Sequence, residues 1–185
     1  MSEHDLSDAK ERMAKAAAAL GYEFAGVRTG RASGAIFEKL TVDYYGVATP
    51  LLQIAGISSP EAQLLVISPY DKSAMAAIEK AILGSDLGLN PSNDGNVVRV
   101  PFPPLTEERR KDLVKLCKQY AEEARVAVRN IRRDTNDFFK HKEKEHEISQ
   151  DDLHRIEADV QKATDAAIAE IDEMLKRKEL EIMEV

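Results

Sequence analysis

The chain has 185 residues, 43% of them hydrophobic and 32% charged, with a formal net charge of -7, which suits one domain with a proper core or two small ones. No apolar run approaches the ~20 residues needed to span a bilayer. The run Ala16 to Leu20 is too short for a signal sequence and follows Glu3, Asp5 and Asp8, so neither a secretory nor a transit peptide is expected and the cytoplasm is the default compartment.

Taken in chain order, the first apolar stripe is Leu6, Ala9, Met13, Ala16, Leu20, Phe24 and Val27, at helical steps of three and four. Gly21 and Gly26 fall inside it and cost about 1 kcal/mol each relative to alanine, so the helix is expected to be weakest there. From residue 31 the pattern changes. Leu40-Thr41-Val42-Asp43-Tyr44-Tyr45 reads as a strand ending at Gly46, and Leu64-Leu65-Val66-Ile67 as a short buried strand stopped by Pro69. Asp71 to Leu83 returns to helix with Asp71 as N-cap and Met75, Ile78 and Ile82 on one face. Residues 91–96 form a turn cluster before a last strand at Val97-Val98-Arg99-Val100.

Thr106 then caps a long second helix, whose apolar side carries Leu113, Leu116, Cys117, Tyr120, Ala124, Ala127, Val128, Ile131 and Phe138. Cys117, the only cysteine, excludes an internal disulfide and is read as a buried structural thiol. A third helix follows Ser149, Asp151 and Asp152, with Leu153, Ile156, Val160, Ala163, Ala167, Ile171, Met174, Leu175 and Ile182 on its stripe. Three single-stripe helices stabilise one another only by packing together. The expected fold is therefore α+β: a long three-helix bundle of residues 1–30 and 106–185, with a small β/α/β domain of residues 31–105 inserted. The two connections differ, the stretch from Arg28 to Gly34 being loosened by glycine and Pro101-Phe102-Pro103-Pro104-Leu105 being stiff. Such a pair of adjacent crossings is expected to act as a hinge.

Charge divides unevenly along this frame. Residues 105–142 hold eleven Lys and Arg against seven Asp and Glu, whereas every other segment is net acidic. Winding the second helix at about 100° per residue puts Lys111, Lys115, Lys118, Arg125, Arg129, Arg132 and Arg133 in one arc. Within it Glu107 could pair with Lys111 and Glu122 with Lys118, while Lys115, Arg129, Arg132 and Arg133 have no such acid within the ridge. Arginines suit bidentate phosphate contacts, and a ridge without interleaved aromatics favours backbone over base recognition. RNA is the expected partner.

No catalytic set is suggested. His141 and His146 are five apart, which does not place two imidazoles on one helical face, and no metal site is expected. The glycines between Gly26 and Gly34 lack the order of a phosphate loop, and no cofactor is implied. A helical co-chaperone or scaffold for protein partners remains the alternative from a different class.

Five motifs coincide in order along the chain: Arg28-Thr29-Gly30-Arg31-Ala32-Ser33; Asp43-Tyr44-Tyr45-Gly46; Ser85-Asp86-Leu87-Gly88-Leu89-Asn90-Pro91; residues 103–111; and Ala127-Val128-Arg129-Asn130-Ile131-Arg132-Arg133. Together they strongly resemble bacterial ribosome recycling factor over essentially the full length. The resemblance implies an L-shaped arrangement of bundle and inserted domain. It also implies a non-catalytic, monomeric factor that binds the large ribosomal subunit after termination and, with elongation factor G and GTP, splits the ribosome. The family's RNA-contacting arginines carry over to Arg110, Arg129 and Arg132, beside which the ridge offers Arg125, Arg133 and Lys118. Arg110 lies nearer the apolar stripe, so it is expected to act from the end of the bundle. The hinge carries over to Arg28, Thr29, Gly30 and Arg31 and to Pro103, Pro104, Leu105 and Thr106.

Overall fold

A computed structural model describes residues 5–184. Its elements are α1 (Leu6–Ala25), β1 (Thr41–Tyr44), β2 (Val47–Pro50), α2 (Leu51–Ile54), β3 (Ala55–Glu61), β4 (Leu64–Pro69), α3 (Met75–Leu83), β5 (Ser92–Asn93), β6 (Val98–Pro101), α4 (Glu107–Lys144) and α5 (Gln150–Met183). The fold is α+β, with the chain in two compact units: residues up to Phe24 with Lys115–Glu179, and Ala25–Val114 with the residues from Leu180 onward.

The first unit is helical. Asp5 begins α1 by accepting the Asp8 amide at 2.7 Å, satisfying one of the orphan donors of the first turn. The buried positions of α1 are Ala9, Met13, Ala17, Leu20 and Phe24. Ala17 therefore faces the core where the stripe suggested Ala16, a shift of one position within an alanine run that carries no contrast. Gly26 lies beyond the helix and marks its end, and only Gly21 is internal. A Cβ at Gly21 would sit 3.3 Å from the Met174 methyl of α5, so this glycine marks a close approach of the two helices.

Helix α4 buries Leu113, Cys117, Ala121, Ala124, Val128, Ile131 and Thr135, and α5 buries Leu153, Val160, Thr164, Ala167, Ile171 and Ile182. The two threonines occupy core positions because each hydroxyl donates to its own helix, Thr135 to the Ile131 carbonyl and Thr164 to the Val160 carbonyl, both at 2.8 Å. Neither hydroxyl is then left unsatisfied in the apolar seam. Burial pushes the Cys117 thiol up to about 11, which keeps it protonated and inert.

The turn between α4 and α5 is set locally. His146 has φ 59°, its amide donates to the Glu143 carbonyl, and the Glu147 amide donates to the Lys142 carbonyl, both at 2.9 Å. This is a Schellman ending with a histidine where glycine is preferred. Replacing His146 with glycine is expected to raise stability by up to about 1 kcal/mol, since a left-handed residue with a Cβ is strained there. Chemical denaturation checks it. Ser149 then caps α5, its hydroxyl accepting the Asp152 amide at 3.0 Å and donating to the Asp152 carboxylate at 2.7 Å.

The second unit holds the strands. A hairpin pairs β1 with β2 from Thr41↔Pro50 to Tyr44↔Val47. Its two turn residues, Tyr45 at φ 51° and Gly46 at φ 79°, make the left-handed pair that matches strand twist. A second sheet is antiparallel throughout, in the order β3-β4-β6-β5. The expected strand at Leu64–Ile67 is present and alternates, with Leu65 and Ile67 buried and level with Val100 and Val98 of β6. Asp71 caps a short 3-10 turn ahead of α3, whose Ile78 and Ile82 are fully buried against the same core as Phe37, Val42 and Leu51. Strands β2 and β3, the two-residue strand β5 within the expected turn cluster, and the single turn α2 are not expected from the sequence. Pro50, Gly56, Ser58, Ser59 and Pro60 disfavour strand locally, and pairing with β1 and β4 overrides that.

Asp71 also binds the hairpin. Its carboxylate accepts the Tyr44 and Tyr45 hydroxyls at 3.0 Å and the Ser73 amide at 2.9 Å. The Ser73 side chain and amide, with the two phenols, hold its pKa down at about 2, from 3.8. Folding therefore gains from ionised Asp71 above about pH 4, and this gain is lost as pH falls towards 2. Unfolding curves across that window should show a flatter acid limb for Asp71→Asn than for the parent chain.

Candidate nucleic-acid interface

The ridge of α4 exists as geometry, but its cations are not equivalent. Arg125 is the most engaged. Its Nε and Nη2 donate to Asp172 of α5 at 2.9 and 2.7 Å, its Nη1 donates to Glu122 at 3.0 Å, and its side chain is 19% exposed. Glu122 also accepts Arg129 at 3.0 Å. The expected Glu122–Lys118 pair is replaced by these two contacts, because guanidinium groups one and two turns onward reach the same carboxylate. Those two hydrogen bonds lower the Glu122 pKa, so it stays ionised. Lys118 instead lies 3.7 Å from Glu179 of α5, and Lys111 pairs with Glu107 at 2.8 Å as expected.

Arg132 and Arg133 are the arginines of the ridge that pair with no carboxylate among the described residues. Arg132 donates to the neutral Gln161 side chain at 3.2 Å, and Arg133 lies 3.4 Å from the Asn130 carboxamide. Both line a groove of about 440 Å³ with Arg129, Lys140, Gln161 and one carboxylate, Asp137. Exposed ion pairs contribute little to stability and exchange readily, so Arg129 can release Glu122 to a polyanion, whereas the Glu179 oxygen facing Lys118 is buried. Arg125 is too enclosed to do so at low cost, and its pKa is raised by Asp172 and Glu122 despite the opposing effect of burial.

Arg110 stands apart, in the second unit. Its Nη1 donates to the Met183 and Glu184 carbonyls at 3.1 and 3.0 Å, capping the last turn of α5 with positive charge. The glycine of the first connection meets the same segment, since a Cβ at Gly30 would come within 2.8 Å of the Glu184 carbonyl oxygen. The two connections are themselves tied together. Arg28 donates to the Pro103 carbonyl, and its guanidinium sits 5.6 Å from the centre of the buried Phe102 ring. Burial, then the nearby Arg109, lowers the Arg28 pKa. Thr29 reaches the Arg31 carbonyl at 3.3 Å, and Thr106 caps α4 through the Arg109 amide at 3.1 Å. Leu105 is buried, whereas Pro103 and Pro104 are exposed.

Among the described residues no cluster of three or more His, Cys, Asp and Glu could hold a metal, and no helix is long and apolar enough to cross a membrane. His141 lies 3.4 Å from Glu145, while His146 makes the turn.

A helical unit whose groove holds two arginines without carboxylate partners, in a chain that also carries a β-rich unit, suits contact with an anion. The family model for ribosome recycling factor matches residues 20–183. Ribosome-recycling factors of Bacillus thuringiensis (strain Al Hakam) and Bacillus mycoides (strain KBAB4) are 59% and 58% identical to the chain over the full length of both proteins. The solution structure of a ribosome recycling factor superposes with a TM-score of 0.81 at 44% identity, covering all of both chains. A second, at 48% identity and a TM-score of 0.69 with full coverage, comes from models of the T. thermophilus ribosome recycling factor and the E. coli elongation factor G bound to the E. coli post-termination complex. The chain belongs to the ribosome recycling factor family, whose members are non-catalytic translation factors.

Proposed function

We propose that this chain recycles ribosomes after termination in the cytoplasm, acting as a monomer that docks on large-subunit ribosomal RNA through α4 and works with elongation factor G and GTP to separate the subunits. The observation that carries the docking step is the uncancelled positive charge of Arg132 and Arg133 in a groove on an otherwise acidic protein. Arg129 joins them by exchanging its exposed acid for phosphate, Lys118 adds charge from beside Glu179, and Arg110 acts from the far end of α4. Arg125 holds the bundle together. Screening lengths of ~8–10 Å at moderate salt confine the acidic surplus to its own surroundings, so the groove meets RNA as a locally basic surface.

No covalent chemistry is required. The anchored bundle transmits force, and the connections at Arg28–Arg31 and Pro103–Thr106, which lie within the second unit, allow the inserted residues 31–105 to move under load from the GTPase. A relative bound with elongation factor G on a post-termination complex supports that partnership. Membership of the family displaces the alternative of a helical scaffold for other proteins. Mixing the protein with post-termination ribosomes, elongation factor G and GTP should cause a loss of light scattering as subunits part. Unchanged scattering with active elongation factor would refute the proposal.

A further inference from the structure

Resting on that reading of the groove, we infer that Gln161 is a positioning residue that keeps Arg132 available to phosphate, by holding its guanidinium with a neutral oxygen and occupying the carboxylate that would otherwise cancel it. The inference comes from the stagger of α4 against α5. Ion pairs join the two helices at Lys118–Glu179 and Arg125–Asp172. Each step forward of seven residues on α4 is matched by seven backward on α5, two helical turns in each case. Continuing the same steps brings Arg132 level with Asp165. Beyond it, Lys140 and Glu157 pair at 3.5 Å and keep the stagger.

At Arg132 the ladder is broken. The guanidinium donates to Gln161 Oε1 at 3.2 Å, while Gln161 Nε2 donates to Asp165 Oδ1 at 2.9 Å. One carboxamide thus satisfies both ions and separates them. An amide oxygen orients a guanidinium without removing its charge, whereas a carboxylate would do both. Arg132 is therefore held in a fixed direction within the groove with its charge intact. Its counterparts on the same seam, Lys118 and Arg125, are paired to acids.

The test uses the full chain and salt-dependent pelleting with purified large ribosomal subunits. Gln161→Leu removes the carboxamide at similar volume and leaves Asp165 free to pair with Arg132. Binding is expected to weaken about tenfold, with the log–log salt slope falling by roughly 0.7–0.9, the contribution of one phosphate contact. Gln161→Leu combined with Asp165→Asn should recover the affinity to within about twofold of the parent, because the carboxylate that Gln161 had occupied is then gone. A purely structural role for Gln161 would not be rescued by deleting a charge. Gln161 is exposed, and unchanged thermal unfolding of both variants is expected.

Parental binding by Gln161→Leu, or a double variant as weak as the single, overturns the inference. Arg132→Ala in the same series separates the two levels. If it binds weakly while Gln161→Leu binds normally, only the positioning role fails. If Arg132→Ala itself binds with parental affinity and slope, the reading of the groove fails.

Discussion

Arg132→Ala is expected to weaken binding to the large subunit about tenfold and to flatten its log–log salt dependence by roughly 0.7–0.9, with little change in stability. Arg132 gives up one hydrogen bond to a neutral amide, so truncation removes charge from the groove and leaves no ion unpaired. Arg125→Ala should behave in the opposite way. Its guanidinium is mostly enclosed and serves two carboxylates, and hydrogen bonds to charged groups contribute about 1.5–3 kcal/mol. Its loss should lower stability by about that amount and barely alter the salt slope. The two arginines are seven residues apart and indistinguishable on a helical wheel. Pelleting over a salt series, paired with denaturant unfolding of each variant, separates them. A common slope change for both would contradict the division of roles.

That contrast defines what the sequence could tell. The stripes of α4 and α5 are legible because apolar residues at steps of three and four have one way to be buried together. Thr135 and Thr164 lie outside the apolar stripes because they are polar, although each stands one helical turn after a core residue, Ile131 and Val160, whose carbonyl it uses. Their spacing was the available signal. Ala121 was passed over for a different reason, since alanine carries too little contrast to place on either face. The basic ridge was legible as a surplus of charge. Which of its members are cancelled was not, because Asp172 and Glu179 reach Arg125 and Lys118 from another helix. Gln161 went unnoticed because a glutamine on a polar face gives no sign of the arginine it holds.

The β-rich unit shows the same limit. The turn at Tyr45–Gly46 was read as the end of a strand, and the strand it returns to was missed. Asp71 was foreseen as a cap. Its hold on the two tyrosines of the hairpin joins segments 26 and 27 residues apart, a distance over which local pattern carries no information.

Arg28→Ala is expected to leave large-subunit binding unchanged while slowing subunit separation markedly. Arg28 belongs to neither the groove nor the α4–α5 seam. It joins the first connection to the second through the Pro103 carbonyl and packs on the Phe102 ring. Phe102 is itself fixed by donating its amide to the Gln63 carbonyl at 2.7 Å. A charged hydrogen bond of about 1.5–3 kcal/mol and a cation–π contact of about 0.5–1 kcal/mol would both be lost. The two connections would then bend independently, and force applied to the β-rich unit would dissipate there before reaching the bundle. Arg28→Lys keeps the charge without the planar fork and should fall between the two. Light scattering with post-termination ribosomes, elongation factor G and GTP measures separation, and pelleting measures binding. Separation at the parental rate in Arg28→Ala would show that the connections need no tie, and the proposed path of force would have to run elsewhere.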